Sequence, residues 1–176
     1  MTLPYILGGI AALYLLVRSG GMSGGGRTAV SSEALVRQYG NRIRPYVDFI
    51  MEASARYDVP ASIIASMIRQ ESNFNEDARG GDGEIGLMQL KPVAMQDLKE
   101  IKGEQWNRYD PRQNVLAGTS FLALQKRRWT NQGDGTWFNA IRAYNGGFAG
   151  TVRSRGLSTG YADSVLSRTS IPRTAK

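Results

Sequence analysis

The sequence lacks two side chains on which much enzyme chemistry depends: none of its 176 residues is cysteine or histidine. Without cysteine the chain has no disulfide bonds and no thiolate ligands for a metal. Without histidine it has no Ser-His-Asp or Cys-His nucleophile and no imidazole metal ligand. Acid–base chemistry therefore falls to carboxylates, tyrosines and lysines, and the sequence predicts no metal and no cofactor.

Acidic residues are also scarce relative to basic ones, with 15 Asp and Glu against 22 Lys and Arg and a formal net charge of +7. A basic surface suits a polyanionic partner such as nucleic acid, anionic lipid or bacterial cell wall. The longest basic run is Lys126-Arg127-Arg128, which is typical of a solvated helix face. Because no nucleic-acid-binding motif accompanies it, we predict no nucleic-acid partner. The sequence leaves the oligomeric state unknown.

The N-terminal segment from Leu3 to Val17 is uncharged and runs for about 15 residues, which is shorter than the roughly 20 that span a bilayer comfortably. No Lys or Arg precedes it, which argues against a signal peptide. We interpret residues 1–18 as a membrane anchor; the alternative is a buried core helix. Arg18 follows the run, and the positive-inside rule on its own would keep the rest of the chain in the cytoplasm. Residues 19–31 are rich in glycine and serine and predict a flexible linker, which leaves residues 32–176 as the folded domain.

Helical periodicity dominates that domain, and no stretch has the pattern of a long strand. The polar, glycine-rich residues 75–84 predict a loop or a short hairpin. Capping residues and prolines mark the helix starts, with Ser31 or Ser32, Asp58, Asp110 and Thr136 as predicted N-caps. Helices are predicted at 33–39, 45–57, 60–71, from 92 onward, at 111–129, at 137–144 and around 161–166. The fold class predicted from these patterns is mainly α.

Glu71 ends an apolar helical stripe that also contains Ile63 and Met67, at the spacing i, i+4, i+8. A carboxyl group in that position is costly to ionise, so its pKa is expected to rise. A raised pKa is what a general acid needs near neutral pH. The alternative is a structural glutamate whose stem packs against the core while its head reaches water.

Three short blocks follow one another along the chain: Glu71-Ser72, then Gly86-Leu87-Met88-Gln89, then Ala143-Tyr144-Asn145. In this order they resemble the family 1 lytic transglycosylases, whose SLT domain belongs to the lysozyme superfamily. The resemblance covers about residues 44–168. It implies a lysozyme-like α+β fold with at most a short hairpin over the cleft.

The resemblance also implies an activity, which is cleavage of the β-1,4 bond between N-acetylmuramic acid and N-acetylglucosamine in peptidoglycan, with formation of a 1,6-anhydro sugar. Glu71 would be the catalytic residue. The residues implied in substrate binding are Ser72, Gly86, Leu87, Met88, Gln89, Tyr144 and Asn145. Residue types alone leave other interpretations open, because Leu87 and Met88 are typical core residues, Tyr144 could simply pack, and Asn145 could simply end a helix.

The chain departs from the family pattern at Gly80, where serine is common, and at residues 81–84, which replace a more apolar run. Asp82 and Glu84 are additional carboxylates near the predicted site. One alternative is therefore a lysozyme-type hydrolase that uses Asp82 or Glu84 to hold water. Another is a non-catalytic wall-binding virion protein. The anchor, linker and single small domain favour a phage or conjugation-type enzyme, membrane-anchored, with its domain facing the periplasm or held in a viral membrane.

Overall fold

Helices make up most of the part of the chain that the computed structural model describes, which is residues 30–153 and 158–174. Within these ranges the only β-structure is a pair of isolated antiparallel bridges, Arg79 with Ile85 and Ile85 with Leu90, so the prediction of a mainly α fold is confirmed. The helices are α1 Ser32–Tyr39, a 3₁₀ helix Asn41–Tyr46, α2 Val47–Tyr57, α3 Ala61–Glu71, α4 Pro92–Lys102, α5 Pro111–Thr130, α6 Trp137–Gly146, α7 Phe148–Arg153 and α8 Thr159–Leu166.

The predicted membrane anchor and most of the predicted linker fall in residues 1–29, which lie outside the described residues. Among the helices of residues 30–153 and 158–174, none combines the length and the apolar character that crossing a bilayer requires. The anchor at residues 1–18 therefore stays a prediction.

Side-chain caps set several of the helix starts. The Ser31 hydroxyl accepts a hydrogen bond from the backbone N–H of Ala34 at 3.2 Å, and the Asp110 carboxylate accepts one from Gln113 at 2.7 Å. The prediction that Asp58 caps α3 is wrong. Asp58 has φ 52° and ends α2 in the left-handed conformation, whereas α3 begins after Pro60 without a side-chain cap. Aspartate tolerates this conformation better than most residues, which is why it also suits a helix end.

Helix α3 runs through the middle of the core. All residues from Ala61 to Ile68 are buried, and Ile63 and Met67 have no exposed surface. A helix that is buried on every side is a core helix, and each fully buried Ile or Met contributes about 1.5–3 kcal/mol to stability. The Ser66 hydroxyl also donates a hydrogen bond to the carbonyl of Val165 on α8, at 2.7 Å. The end of α3, where Glu71 lies, is therefore held by rigid packing.

Helix α5 packs closely against residues 86–89, which lie between α3 and α4 in the sequence. At Gly118 an added Cβ would lie 2.5 Å from the sulfur of Met88, so this helix approaches the segment 86–89 more closely than any residue with a side chain would allow. A smaller group of buried apolar side chains, separate from the main core that contains Met88, joins α4, α5 and Leu90. Its members are Leu90, Ala94, Leu98, Ala117, Phe121 and Leu124.

Candidate active site

Glu71 is the last residue of α3, and burial raises its pKa from the ordinary value of 4.5 to about 7. A hydrogen bond from the Tyr161 hydroxyl and the charge of Lys91 lower this pKa, whereas the charge of Glu84 raises it, but desolvation is the largest cause. The rise expected from the apolar stripe is therefore present. The side chain is only partly exposed, so a group on a bound ligand can reach it while most water is excluded.

Tyr161, in the first turn of α8, donates its hydroxyl hydrogen bond to Oε1 of Glu71. Burial, and after it the charge of Glu71, raises the pKa of Tyr161 well above its usual value. The tyrosine therefore stays protonated and acts as a donor. The sequence pattern places Tyr161 only in a final helix, because a contact across 90 positions of the chain leaves no local signal.

Ser72 joins the end of α3 to the segment Gly86–Gln89, which we call the GLMQ turn. Its hydroxyl donates to the Leu87 carbonyl at 2.9 Å and lies 3.2 Å from the Ile68 carbonyl. The family resemblance implies a role for Ser72 in substrate binding. In the structure its hydroxyl contacts the protein itself and fixes the distance between Glu71 and the GLMQ turn.

Within the GLMQ turn, the side chains of Leu87 and Met88 have no exposed surface and belong to the core. This agrees with the alternative drawn from residue type, because neither residue has exposed surface that a ligand could contact. Gly86 has φ 80°, and a Cβ there would lie 2.4 Å from the amide nitrogen of Asn114. Gln89 also has positive φ, and its amide donates to the carbonyl of Gly86 at 2.9 Å and to that of Ala78 at 3.1 Å.

Asn114 on α5 organises the GLMQ turn from beneath, although no motif in the sequence points to it. It is completely buried. Its side-chain oxygen accepts from the Met88 N–H at 2.9 Å, and its amide donates to the carbonyls of Ile85 at 2.9 Å and Arg108 at 2.8 Å. Buried amides of this kind are favourable only when such partners are present. The missing side chain of Gly86 makes room for this residue.

Tyr144 lies close to the site, but its hydroxyl donates to the carbonyl of Met88 at 2.7 Å and not to Glu71. The family resemblance implies a role for Tyr144 in substrate binding, whereas the hydroxyl that contacts Glu71 in the structure is that of Tyr161. Burial and, after it, the charge of Glu71 raise the pKa of Tyr144 well above its usual value. Asn145 is exposed near the end of α6, where its side-chain oxygen accepts a hydrogen bond from Ser158 at 2.7 Å.

The additional carboxylates Asp82 and Glu84 both pair with Lys91, whose Nζ lies 3.0 Å from an oxygen of each. The Asp82 side chain is 78% exposed, but that of Glu84 is only 18% exposed and also accepts from the Asp82 N–H at 2.9 Å. A Cβ on Gly80 would lie 2.3 Å from Oε2 of Glu84. The Glu84 side chain therefore fills the space beside Gly80. Its contacts restrict its position more than the glycine-rich sequence of this loop predicts.

The site thus combines a carboxyl group whose pKa is raised to about 7, a tyrosine that donates to it, and the GLMQ turn, which Ser72 links to the end of α3. Among residues 30–153 and 158–174, no three Asp or Glu side chains come together as a possible metal site, and no hydrogen bond joins Glu71 to another carboxylate in the same ranges. This arrangement can donate a proton to a leaving group and then accept one back.

Comparison with known families and structures gives a consistent result. The sequence model of the Transglycosylase SLT domain family matches residues 48–165. The chain is 30% identical over 155 residues to the membrane-bound lytic murein transglycosylase C of Mannheimia succiniciproducens, which covers 81% of this chain and 43% of that protein. It is 32% identical over 139 residues to the protein of the same name from Actinobacillus succinogenes, covering 73% of this chain and 39% of that protein. The chain therefore spans less than half the length of these relatives.

Two solved structures share the fold. The 70 kDa soluble lytic transglycosylase of Escherichia coli matches with a TM-score of 0.58 and 22% identity over 78% of this chain and 26% of that chain. The lytic transglycosylase Slt of Pseudomonas aeruginosa matches with a TM-score of 0.53 and 22% identity over 78% of this chain and 24% of that chain. At this identity the two matches show that the helical domain shares its fold with these structures.

Proposed function

The chain belongs to the transglycosylase SLT domain family, and we propose that it is a lytic transglycosylase that cleaves the N-acetylmuramic acid–N-acetylglucosamine β-1,4 bond of peptidoglycan. The observation that carries the proposal is Glu71, a partly exposed carboxyl group whose pKa is raised to about 7 and which a partly buried tyrosine holds in place. The names of the relatives support the substrate. The expected outcome is local opening of the cell wall.

In the proposed mechanism the protonated Glu71 donates its proton to the glycosidic oxygen, because an alkoxide is a poor leaving group. The sugar then develops oxocarbenium character at its anomeric carbon. Glu71, now ionised, removes the proton of the 6-hydroxyl group of the same sugar, and that oxygen bonds to the anomeric carbon. The product is a 1,6-anhydro sugar and no water is consumed. Throughout, the Tyr161 hydroxyl stabilises the ionised form of Glu71.

Loss of the Tyr161 hydroxyl tests this role. Since its hydrogen bond lowers the pKa of Glu71, Tyr161→Phe is expected to raise that pKa, so activity should persist to higher pH than in the wild-type enzyme. The rate at the optimum should fall by about tenfold, the scale of a hydrogen bond to a charged group. The measurement is the pH profile of wall lysis. Tyr109→Phe, at an exposed tyrosine, is the matched control and should change neither quantity. A profile whose alkaline limb moves to lower pH in Tyr161→Phe contradicts the assigned role.

The choice between a lyase and a hydrolase is tested at Asp82 and Glu84. A hydrolase needs a second group to place water, whereas the intramolecular 6-hydroxyl is already held near the anomeric carbon. Both carboxylates are engaged with Lys91. We therefore expect Asp82→Asn and Glu84→Gln each to slow cleavage by about tenfold at most, or about 1.4 kcal/mol of barrier.

The accompanying measurement is mass spectrometry of the fragments released from purified peptidoglycan, which should end in 1,6-anhydro-N-acetylmuramic acid. Fragments whose ends are reduced by borohydride, together with a loss in either variant as large as that in Glu71→Gln, would favour a lysozyme-type hydrolase. Absence of any cleavage by the full chain would instead favour a non-catalytic wall-binding module.

The N-terminal segment is proposed to hold the enzyme at a membrane, with residues 19–31 as linker and residues 32–176 facing the wall in the periplasm. The uncharged run from Leu3 to Val17 motivates this proposal, and the relatives' names describe them as membrane-bound. None of the relatives above is named as a virion protein, so the proposal leaves a viral location out.

Removal of the proposed anchor is expected to release the protein without impairing its chemistry. Residues 32–176 expressed alone should fractionate with soluble protein and cleave purified peptidoglycan at the rate of the full chain, since residues 1–31 contribute nothing to the active site in this proposal. A truncated protein that fails to fold, judged by circular dichroism, would show that the segment belongs to the core.

A further inference from the structure

A cavity lies beside the segment that leads from the GLMQ turn into α4. Its volume is about 310 Å³, at the lower end of the range for small-ligand sites. Its walls include Pro92 and Met95 from the start of α4, and Trp106, Asn107 and Arg108 from the loop between α4 and α5. None of its lining residues is acidic. The cavity, which we call the Trp106 pocket, therefore combines apolar surface with one amide and one guanidinium group.

The Trp106 pocket lies close to the active site. Pro92 follows Gln89, the last residue of the GLMQ turn, by three positions, and three residues of extended chain span at most about 11 Å. Lys91, which lies between them, is near enough to Glu71 for its charge to lower the pKa of that residue. A glycan strand bound at Glu71 can therefore reach the pocket with a neighbouring sugar unit of the same strand.

Hydrogen bonds attach the wall of the Trp106 pocket to the segment that contains the GLMQ turn. The Nη1 group of Arg108 donates to the carbonyl of Gly83 at 2.7 Å and to that of Leu90 at 2.9 Å. The carbonyl of Arg108 accepts in turn from the Asn114 amide at 2.8 Å. Asn114 is the buried residue that also supports the GLMQ turn, so one side chain sets the positions of the turn and of the pocket wall together.

The ring of Trp106 is held in place by the protein itself. Its indole N–H donates to the Glu104 carboxylate at 3.1 Å, and the guanidinium carbon of Arg56 lies 5.1 Å from the ring centre. The ring also packs against both the main core and the smaller apolar group, and it stays partly exposed. A flat apolar surface that loses little freedom on binding suits the C–H face of a sugar ring.

Asn107 adds an oriented hydrogen-bond donor to the Trp106 pocket. Its side-chain oxygen accepts from the backbone N–H of Tyr109 at 3.0 Å, and its own backbone N–H donates to Gln113 at 3.0 Å. The side-chain nitrogen of this exposed residue has no partner among residues 30–153 and 158–174. An amide donor held in this way suits the carbonyl oxygen of an acetamido group.

We propose that the Trp106 pocket binds one N-acetylated sugar unit of the glycan strand, outside the pair of units that Glu71 separates. The C–H face of the sugar packs on Trp106, with Pro92 and Met95 beside it, and the acetamido carbonyl accepts a hydrogen bond from Asn107. The pocket thus lengthens the contact between the enzyme and its polymeric substrate. This role as a subsite rests on the proposed function, whereas binding of a free oligosaccharide is measured without it.

The test is an NMR titration of the full chain with tri-N-acetylchitotriose, a β-1,4-linked trimer of N-acetylglucosamine. The chain has three tryptophans, and Trp106→Phe identifies the indole N–H signal of Trp106. We expect that signal to shift saturably with the trimer. The signals of Trp129 and Trp137, which do not line the Trp106 pocket, should stay where they are.

Asn107→Asp tests the proposed hydrogen bond. Aspartate keeps the acceptor for the Tyr109 N–H but removes the amide donor, so binding should weaken about fivefold, the scale of one hydrogen bond. The matched control is Asn41→Asp, which makes the same change at another exposed asparagine whose side-chain oxygen accepts a hydrogen bond. This control should leave binding unchanged.

The proposal is overturned if the Trp106 signal does not move, if Asn107→Asp binds as tightly as the wild-type protein, or if Asn41→Asp weakens binding as much. Cellotriose has the same linkage but no acetamido groups, and equally tight binding of cellotriose would overturn the assignment to an N-acetylated sugar. Because the titration measures equilibrium binding, its result is independent of cleavage. Trimer binding in a protein that cleaves no peptidoglycan would contradict the proposed function alone, whereas an unmoved Trp106 signal in a protein that cleaves it would contradict the pocket alone.

Discussion

Glu71→Gln is expected to abolish wall lysis while the fold is retained. Glutamine has nearly the same shape and still accepts the hydrogen bond that Tyr161 donates, but it has no carboxylic proton to give to the leaving oxygen. General acid catalysis contributes about 10²–10⁴-fold to such reactions, and the same residue serves again as base, so activity should fall by at least about 10³-fold. Zymograms and product analysis measure the loss. The control is Glu100→Gln, at an exposed glutamate on α4, which should retain full activity.

The same substitution is expected to stabilise the protein at alkaline pH. The pKa of Glu71 is about 7 in the folded chain against the ordinary 4.5, so its raised pKa contributes stability below pH 4.5 that is lost as the pH rises through about 7. Above that pH the wild-type protein must bury an ionised carboxylate, and glutamine removes this cost. Each pKa unit corresponds to about 1.4 kcal/mol, so the difference between 4.5 and about 7 sets an upper limit of about 3.5 kcal/mol. Because the side chain is partly exposed and the polar amide of glutamine also loses hydration on burial, we expect a gain of about 2 kcal/mol at pH 8 and little difference at pH 4, measured by urea denaturation.

If Glu71→Gln lyses cell walls at the wild-type rate and its circular dichroism spectrum is unchanged, Glu71 takes no part in the catalytic mechanism. A loss of activity accompanied by a lower stability at pH 8 would instead indicate that Glu71 is a structural group, which is the alternative drawn from its position on the apolar stripe.

Asn114→Ala is expected to have the second-largest effect, on stability and activity together. It removes three hydrogen bonds and leaves the Met88 N–H without a partner inside the core, whereas the Ile85 carbonyl keeps the bond from the Leu90 N–H at 3.0 Å. The unpaired N–H costs about 1–3 kcal/mol and each of the other two lost bonds about 0.5–1.5 kcal/mol, so the free energy of unfolding should fall by about 3–5 kcal/mol. Because the GLMQ turn would lose its support beneath Glu71 and Tyr144, activity should fall by at least about 10²-fold, since small displacements at an active site have effects of that size.

Asn114→Asp keeps this prediction testable if the alanine variant does not fold. The aspartate retains an acceptor for Met88 but loses both donated bonds, so it should fold with reduced stability and still lose most activity. Denaturation curves and lysis rates measure both effects. Asn41→Ala is the control, because Asn41 is an exposed asparagine whose side chain contacts Arg44. Full activity in Asn114→Asp would show that the turn does not depend on this residue.

Features that depend on neighbours in the chain were predictable from the sequence. The spacing of Ile63, Met67 and Glu71 indicates a helix with a carboxyl group on its apolar side, and the structure buries the two apolar residues completely. Asp110 followed by Pro111 predicts a helix start, and the aspartate caps it. The three short blocks predict the family. Each of these signals extends over a few residues, the range over which helical periodicity and capping act.

Features that depend on contacts between distant residues were decided only by the tertiary structure. The hydroxyl beside Glu71 belongs to Tyr161 and not to Tyr144, because the packing of α8 against α3 determines which ring reaches the carboxylate. Asn114 lies beneath the GLMQ turn because Gly86 leaves room for it, and Arg173 of the C-terminal segment packs on the Phe138 ring of α6. Aspartate is a common N-cap residue, and the sequence predicts Asp58 as the N-cap of α3, but in the structure Asp58 ends α2. A residue's type limits which bonds it can make, but only packing brings its partner within bonding distance.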